Sequence, residues 1–236
     1  MNPVDPIILT AYLLCLAYFI YKIIDSFNDE FTARLDEEPL KLYLSEKQLD
    51  NVIGIGFGFG KQYEFNKLDR VPISISNKSD SYSIYVDWDY STFTDLEKRA
   101  RRVTRLTPGT TLDLFQSQAF STVAPNTTLK ETIAAEDSLQ RKGDRKEEKL
   151  DTASPLNLEV EVAKPLIDLK PAKPSDGLKK QLEKFKKRKT ELNFSLELVF
   201  RVVGPDRALS GDRIRIPCKF ILKKLPWTSG LPWNPK

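Results

Sequence analysis

Residues 192–203, L-N-F-S-L-E-L-V-F-R-V-V, decide the fold class of this chain. Apolar and polar residues alternate along the stretch, and a period of two is typical of a β-strand with one buried face. Residues 214–222 repeat the alternation, and the turn signals Gly204-Pro205 and Ser210-Gly211 lie between the two segments. The pattern predicts two long strands with these inward positions: Leu192, Phe194, Leu196, Leu198, Phe200 and Val202, then Ile214, Ile216, Cys218, Phe220 and Leu222.

Two residues of the second strand carry extra information. Pro217 falls on the outward phase, which predicts an edge position because proline cannot donate to a neighbouring strand. Cys218 falls on the inward phase and is expected to be a small core residue. The chain contains no histidine, so Cys218 cannot belong to a Cys-His nucleophilic pair.

The sequence predicts further strands upstream. Residues 82–90 alternate, with Tyr82, Ile84, Val86, Trp88 and Tyr90 expected to face inward. Regular short strands with turn signals between them indicate an antiparallel sandwich over residues 51–225. The shorter candidates are 101–106, 112–115, 119–123, 129–133 and 156–162, and the turn signals include Pro108-Gly109 and Pro125-Asn126.

The glycine-rich run I-G-I-G-F-G-F-G, residues 53–60, has the look of a phosphate-binding loop. A P-loop ending at Gly60-Lys61 requires glycine at position 55, which is isoleucine, and serine or threonine at position 62, which is glutamine. Alternation instead predicts a strand with its apolar residues on one face and bare backbone on the other.

Four segments carry a resemblance: N-K-S at 77–79, I-Y-V-D-W-D-Y-S-T-F at 84–93, R-R-V at 101–103 and S-T-V-A-P-N-T-T at 121–128. They resemble a widespread group of uncharacterised bacterial membrane-anchored proteins and lipoproteins, in a version that looks cyanobacterial. The resemblance implies an immunoglobulin-like β-sandwich and no particular activity. It also favours a turn near Asp95, followed by a strand, over a helix. The chain differs from the group by its long charged insertions and by a hydrophobic helix in place of a lipobox.

Residues 1–24 predict a single transmembrane anchor. The run from Pro6 to Ile24 carries no charge before Lys22, and its length matches a hydrocarbon core of about 30 Å. Its start is not basic and no small-residue cleavage site follows, unlike a secretory signal peptide. The five residues before the run contain no lysine or arginine, whereas Lys22 lies near its end and Arg34 and Lys41 follow it, which predicts an external amino terminus. The main domain is then expected on the cytoplasmic side of a plasma or thylakoid membrane.

Three polar regions flank or interrupt the predicted sandwich. Residues 25–50 are acidic and are interpreted as a stalk, in which Phe27, Phe31 and Leu35 continue the anchor helix and a second short helix covers 40–49. Residues 136–151 are dense in charges of both signs and predict an insertion that is either a solvated loop or a short exposed helix. Residues 164–190 form a second insertion, beginning with a proline-rich linker.

The second insertion ends in a basic amphipathic segment, L-K-K-Q-L-E-K-F-K-K-R-K, residues 178–189. Leu178, Leu182 and Phe185 form a narrow apolar stripe that either rests on the sandwich or contacts a partner. The surrounding charges could bind an anionic membrane surface or an acidic protein. The candidate contact residues are Lys179, Lys180, Lys184, Lys186, Lys187, Arg188 and Lys189.

The tail, residues 226–236, repeats Pro-Trp at 226–227 and 232–233. Proline lowers the entropy cost of ordering and tryptophan supplies a large contact area, so Trp227 and Trp233 are candidate partner contacts. The alternative is that both indoles pack on the protein's own sandwich.

The remaining composition points away from catalysis. A net charge of +4 with 30% charged residues describes a mildly basic surface, so no nucleic acid is expected as a partner. Asp87, Asp89 and Asp95 are interpreted as ion-pair partners of the neighbouring arginines rather than a catalytic or calcium site. No cofactor, metal or catalytic residue is expected.

The sequence therefore predicts a non-catalytic accessory or scaffold subunit that docks on an integral-membrane protein complex. The alternatives are a peripheral binder of anionic lipid and, with the opposite topology, an exported envelope protein.

Overall fold

The computed structural model describes residues 5–26, 29–106, 117–141, 160–205, 211 and 213–230, and shows a mainly β protein with an apolar N-terminal helix. Helix α1 (Asp5–Ser26) has 22 residues and contains the window Pro6–Ile23, whose mean hydropathy is 1.8 and of which no part is buried. At 1.5 Å per residue it is about 33 Å long. The helix is therefore long and apolar enough to span a membrane.

Among the described residues, ten strands form a curled antiparallel sheet in the order β2-β4-β8-β6-β5-β11-β12-β1-β3, with β7 paired to β5, and β9 and β10 form a separate pair. The strands are β1 (Glu30–Leu35), β2 (Ile53–Phe57), β3 (Tyr63–Glu64), β4 (Val71–Asn77), β5 (Ser83–Thr94), β6 (Ala100–Arg105), β7 (Ser121–Val123), β8 (Thr128–Ala135), β9 (Leu139–Arg141), β10 (Val160–Val162), β11 (Leu192–Val203) and β12 (Arg213–Lys224). Helices α2 (Glu37–Glu46) and α3 (Asp176–Lys186) and short 3₁₀ turns at Glu136–Ser138 and Trp227–Gly230 complete the described elements.

The predicted pair of long strands is confirmed as β11 and β12. Their register runs from Leu192 opposite Leu222 to Arg201 opposite Arg213. Of the eleven predicted inward positions, all are buried except Ile214, which is half-buried. The prediction that Pro217 lies at a sheet edge is right for only part of β12. Strand β1 pairs with residues 220–224 of β12, and the exposed Pro217 lies beyond the end of this pairing.

The sheet curls because β6 changes partner along its length. Residues 100–102 pair with β5, whereas residues 103–105 pair with β8. A large hydrophobic core fills the interior, and Phe220 of β12 contacts Phe57 and Phe59 across it at ring-centroid distances of 4.8 and 5.3 Å. The β2 end of the sheet thus folds back over β12.

Strand β5 begins as predicted and then changes phase. Ile84, Val86 and Trp88 are buried, but Tyr90 is 54% exposed, so the inward position predicted for it is wrong. A β-bulge places residues 88–91 opposite the single residue Leu198. The extra residues turn Ser91 and Phe93 inward instead.

The interpretation of residues 25–50 as a stalk is corrected from residue 30 onward. Phe31 is fully buried in β1, which pairs with β12 and β3, so the predicted continuation of the anchor helix to Pro39 is wrong. The predicted second helix exists as α2, and its Leu40 and Leu44 are buried in the core. This segment belongs to the folded domain.

The two charged insertions also differ from expectation. Where residues 164–177 were predicted to be a linker, Leu166, Ile167 and Leu169 are buried in the core, and the Leu166 amide donates to the Leu68 carbonyl at 2.8 Å. In the first insertion, Glu136–Arg141 form a 3₁₀ turn and a strand rather than a solvated loop. Residues 142–151, and the predicted strand at 112–115, lie outside the described residues.

Candidate functional site

A groove of about 1110 Å³ lies near α2, between β2 at one end of the curled sheet and the part of β1 that β3 leaves unpaired at the other end. We call it the seam groove. Ala33 and Leu35 of β1 line one side, and Ile55 and Phe57 of β2 line the other, with α2 between them. The chain connects these walls directly, because β1, α2 and β2 follow one another in sequence.

The hydrogen bonds of β2 identify its free edge. The Lys78 amide donates to the Val52 carbonyl, and the Gly58 amide donates to the Pro72 carbonyl, both at 2.9 Å. In an antiparallel pair, alternate residues bond to the same neighbour, so the even-numbered residues of β2 bond to β4. The N–H and C=O groups of Ile55 and Phe57 therefore point away from β4.

The same reasoning applies to β1. The Leu225 amide donates to the Glu30 carbonyl at 3.0 Å, and the Asp36 amide donates to the Lys219 carbonyl at 2.8 Å. Even-numbered residues of β1 thus bond to β12, and Phe31 bonds on its other side to β3. The N–H and C=O groups of Ala33 and Leu35 point outward. Two strand edges without a pairing strand among the described residues therefore border one groove.

The glycines of β2 lie on the face opposite its core side chains, as predicted. A Cβ atom at Gly54 would lie 3.1 Å from Lys78 Cε, and one at Gly56 would lie 2.8 Å from Ser74 Oγ. Neighbouring side chains thus approach the backbone closely at both positions, which explains the alternation of glycine with large apolar residues. Lys78 also donates through Nζ to the Asp50 carbonyl at 2.9 Å.

Helix α3 carries the predicted basic segment. Leu178, Leu182 and Phe185 are buried, so the apolar stripe packs on the protein's own core, as the first of its two interpretations had it. Ser175 caps the helix by accepting a hydrogen bond from the Leu178 amide at 3.3 Å. All seven candidate cations are exposed: Lys179, Lys180, Lys184, Lys186, Lys187, Arg188 and Lys189.

The C-terminal end of α3 lies close to the start of β1. The rings of Phe185 and Phe65 stack with centroids 6.1 Å apart, and the Phe65 amide donates to the Asp29 carbonyl at 2.8 Å. Strand β11, which follows α3, begins at Leu192 opposite Leu222, and Leu222 in turn pairs with Ala33. Two separate sets of contacts thus place the end of α3 beside the segment that follows α1.

The tail begins at the same end of the domain. The hydrogen bond from Leu225 to Glu30 places residue 226 next to the start of β1, and Trp227 opens a 3₁₀ turn that contacts β1. Trp233 lies outside the described residues. The structure therefore brings Trp227 and the end of α3 to one end of the domain.

The three aspartates proposed as ion-pair partners each have a separate cation. Arg102 pairs with Asp89, Arg99 with Asp95 at 2.8 Å, and Arg213 with Asp87 at 3.4 Å. Burial raises the pKa of Asp89, but hydrogen bonds from Arg102 and from the Gln118 amide outweigh this effect and hold the pKa below its ordinary value. Each of the three carboxylates is thus paired with a different arginine.

Cys218 lies in the core, where burial raises the pKa of its thiol to about 12. Such a thiol remains protonated at neutral pH and is a poor nucleophile.

Sequence reasoning missed two features of these surfaces. The Phe65 ring contacts the rings of Phe31 and Phe185, and its amide bonds to Asp29. No periodic pattern surrounds Phe65 in the sequence, so these contacts could not be predicted. The seam groove depends on which strand edges are left unpaired in the assembled sheet, and no local pattern specifies this. Comparison of the chain with protein-family models, curated proteins and solved structures found no match.

Proposed function

We propose that this chain is a non-catalytic, single-pass accessory subunit whose β-domain docks on an integral-membrane protein complex. The observation that carries the proposal is the seam groove with its two outward-facing strand edges. An extended segment of a partner could add as a strand to such an edge, with backbone hydrogen bonds supplying affinity and alternate side chains supplying specificity.

The position of the groove along the chain supports a membrane partner. Asp29 follows Ser26, the last residue of α1, by three residues, which span at most about 10 Å of extended chain. Ala33 and Leu35 follow a few residues later at about 3.4 Å per residue. Short loops of a neighbouring membrane protein can therefore reach the groove.

The proposed topology has the amino terminus outside and the domain on the cytoplasmic side of a plasma or thylakoid membrane. The lysine and arginine residues that follow α1, beginning with Arg34 and Lys41, support this orientation. We further propose that the curled sheet is a variant of the immunoglobulin-like sandwich. Its antiparallel strands, the core enclosed between its two ends and the fully packed Trp88 support this assignment.

The non-catalytic part of the proposal rests on the paired charges. Asp87, Asp89 and Asp95 are each neutralised by a different arginine, and the Cys218 thiol is buried and protonated. In the described part of the chain, no group of three or more metal-ligating side chains occurs. A scaffold role requires none of these groups to react.

The test is extraction of the native membrane in mild detergent, followed by size separation and identification of the comigrating proteins. Ile55→Pro removes both the isoleucine side chain and the outward backbone N–H of residue 55. Ile55→Ala also removes the isoleucine side chain but retains that N–H. We expect the native chain and Ile55→Ala to comigrate with a larger complex, and Ile55→Pro to be released from it. Migration of the native chain alone, or equal retention of both variants, would overturn docking by strand addition.

A further inference from the structure

The exposed face of α3 has a large surplus of positive charge. Between Lys179 and Lys189 there are seven cations and one carboxylate, Glu183. Leu178, Leu182 and Phe185 occupy the buried side of the helix, so the cations extend over the remaining sides and the turn that follows. Within the described residues, no carboxylate oxygen lies within 4.0 Å of any of the seven charged groups. We call these seven side chains the α3 basic face.

Other cations at this end of the domain are already used internally. Lys170 pairs with Asp29, and its ammonium group lies 5.7 Å from the centroid of the Phe65 ring. Lys224 is buried, with its ammonium group 5.2 Å from the same ring. Both ammonium groups thus lie near the Phe65 ring, and Phe65 stacks on the buried ring of Phe185 in α3. The α3 basic face is thus held by packed aromatic rings while its own charges remain in solvent.

The backbone turns directly after α3 with a basic residue, Arg188, in the left-handed conformation. Arg188 has φ +57°, and the helix ends with the Arg188 amide donating to the Phe185 carbonyl and the Lys189 amide donating to the Lys184 carbonyl. This is the Schellman arrangement, in which glycine usually occupies the left-handed position. A basic residue occupies it here, although a left-handed conformation is unfavourable for a residue with a Cβ atom.

The connection to α1 determines what this face can meet. Phe65 bonds to Asp29, three residues after α1, and Phe185 packs on Phe65. With α1 in a bilayer, the end of α3 is held near the headgroups. Each lysine or arginine close to an anionic leaflet favours the bound state by about fivefold, and the effect acts over about 8 Å at physiological salt.

We propose that the α3 basic face binds anionic lipid headgroups and seats the β-domain on the membrane beside α1. The lipid surface fits better than an acidic protein because the face is convex, carries charge on several sides and is tethered next to the bilayer. This inference requires α1 to span the membrane but does not require a partner in the seam groove.

The experiment uses the purified full-length chain in lipid nanodiscs, with no other protein present. Hydrogen exchange of residues 178–191 is compared between discs of phosphatidylcholine alone and discs that also contain phosphatidylglycerol. The test variant is Lys184→Glu/Lys187→Glu/Lys189→Glu. The matched control is Lys47→Glu/Lys130→Glu/Arg201→Glu, which reverses three exposed cations on α2's C-cap, β8 and the far end of β11.

We expect residues 178–191 to exchange severalfold more slowly in the phosphatidylglycerol discs, and this protection to disappear at about 0.5 M salt because surface charges are then screened. The test variant should lose the protection and the control variant should keep it. Equal exchange in both lipids, or protection that survives in the test variant, would overturn the proposal. Protection that appears only when native membrane extract is added would assign the face to an acidic protein instead. Loss of the comigrating complex alone would leave the lipid result unchanged, so the two proposals fail separately.

Discussion

Phe185 of the basic helix stacks on Phe65 with ring centroids 6.1 Å apart and an interplanar angle of 28°. Phe65 also contacts Phe31 of β1 at 6.0 Å, so three rings from distant parts of the sequence meet at the end of the sheet that follows α1. The relationship gives the solvent-exposed basic helix a fixed position relative to β1, the strand that follows α1 in the chain.

The first prediction concerns this contact. Phe185→Ala should lower the free energy of unfolding by about 3–5 kcal/mol, because the fully buried ring leaves a cavity beneath α3. Chemical denaturation of the detergent-solubilised chain, followed by circular dichroism, measures the change. Phe120→Ala serves as the control, since Phe120 is 52% exposed, and should change stability little. A loss below about 1 kcal/mol for Phe185→Ala would contradict the packing described here.

Arg188→Gly should change stability and lipid binding in opposite directions. Glycine adopts φ +57° without a Cβ penalty, so unfolding should require up to about 1 kcal/mol more free energy. The same change removes one cation and should weaken seating on phosphatidylglycerol by about fivefold. Arg188→Ala removes the charge but retains the unfavourable conformation, so it separates the two effects. Reduced stability of Arg188→Gly would show that the left-handed turn has been misassigned.

Ser91→Ala tests the bulge in β5. The buried Ser91 hydroxyl donates to the Asp87 carbonyl at 2.7 Å and accepts from the Val199 amide at 3.0 Å. The substitution leaves both backbone groups without these partners and should cost about 1–3 kcal/mol of stability. Ser83→Ala, at the half-buried start of the same strand, is the matched control. Equal midpoints for the two variants in a denaturation series would argue against a structural role of the Ser91 hydroxyl.

The Asp89 carboxylate should make stability depend on pH in the acid range. Its folded-state pKa lies below the unfolded value of about 3.9, so its contribution is present above that pH and is lost as pH falls through the folded pKa. Asp89→Asn should therefore destabilise the protein by about 1–2 kcal/mol at pH 7, with a smaller difference at pH 3. Thermal unfolding at both pH values measures this, with the exposed Asp50→Asn as control. An equal difference at both pH values would mean that the Arg102 pair does not stabilise the fold.

Local sequence patterns predicted the strands well where apolar and polar residues of the strand itself alternate along its length. In β11, β12 and β2 each inward side chain contacts the same core, so a period of two directly reports the buried face. The pattern was misleading in β1, because Phe31 and Leu35, four residues apart, share a face in a helix and also in a strand. Ala33, which lies between them and is buried, is the residue that distinguishes the two structures.

Of the two candidate surfaces, the α3 basic face could be predicted from the sequence and the seam groove could not. The sequence identified the cations of α3 and the apolar stripe beneath them, since both are local properties of one helix. It could not identify the seam groove, because free strand edges depend on the order of strands in the whole sheet. Nor could it predict the burial of Leu166, Ile167 and Leu169, because the backbone partners of this segment, Leu68 for Leu166 and Asn66 for Leu169, lie far away in the chain.

The sequence by itself determined the apolar N-terminal helix, the mainly β character of the domain and the charge of the basic helix, because each follows from the periodicity or composition of neighbouring residues. Only the tertiary structure decided that residues 30–35 pair with β12 and that α3 ends beside the segment that follows α1. Both depend on pairing between distant residues, such as Phe31 with Lys224 and Phe65 with Phe185. The free energy of such contacts arises only when the whole chain closes around one core.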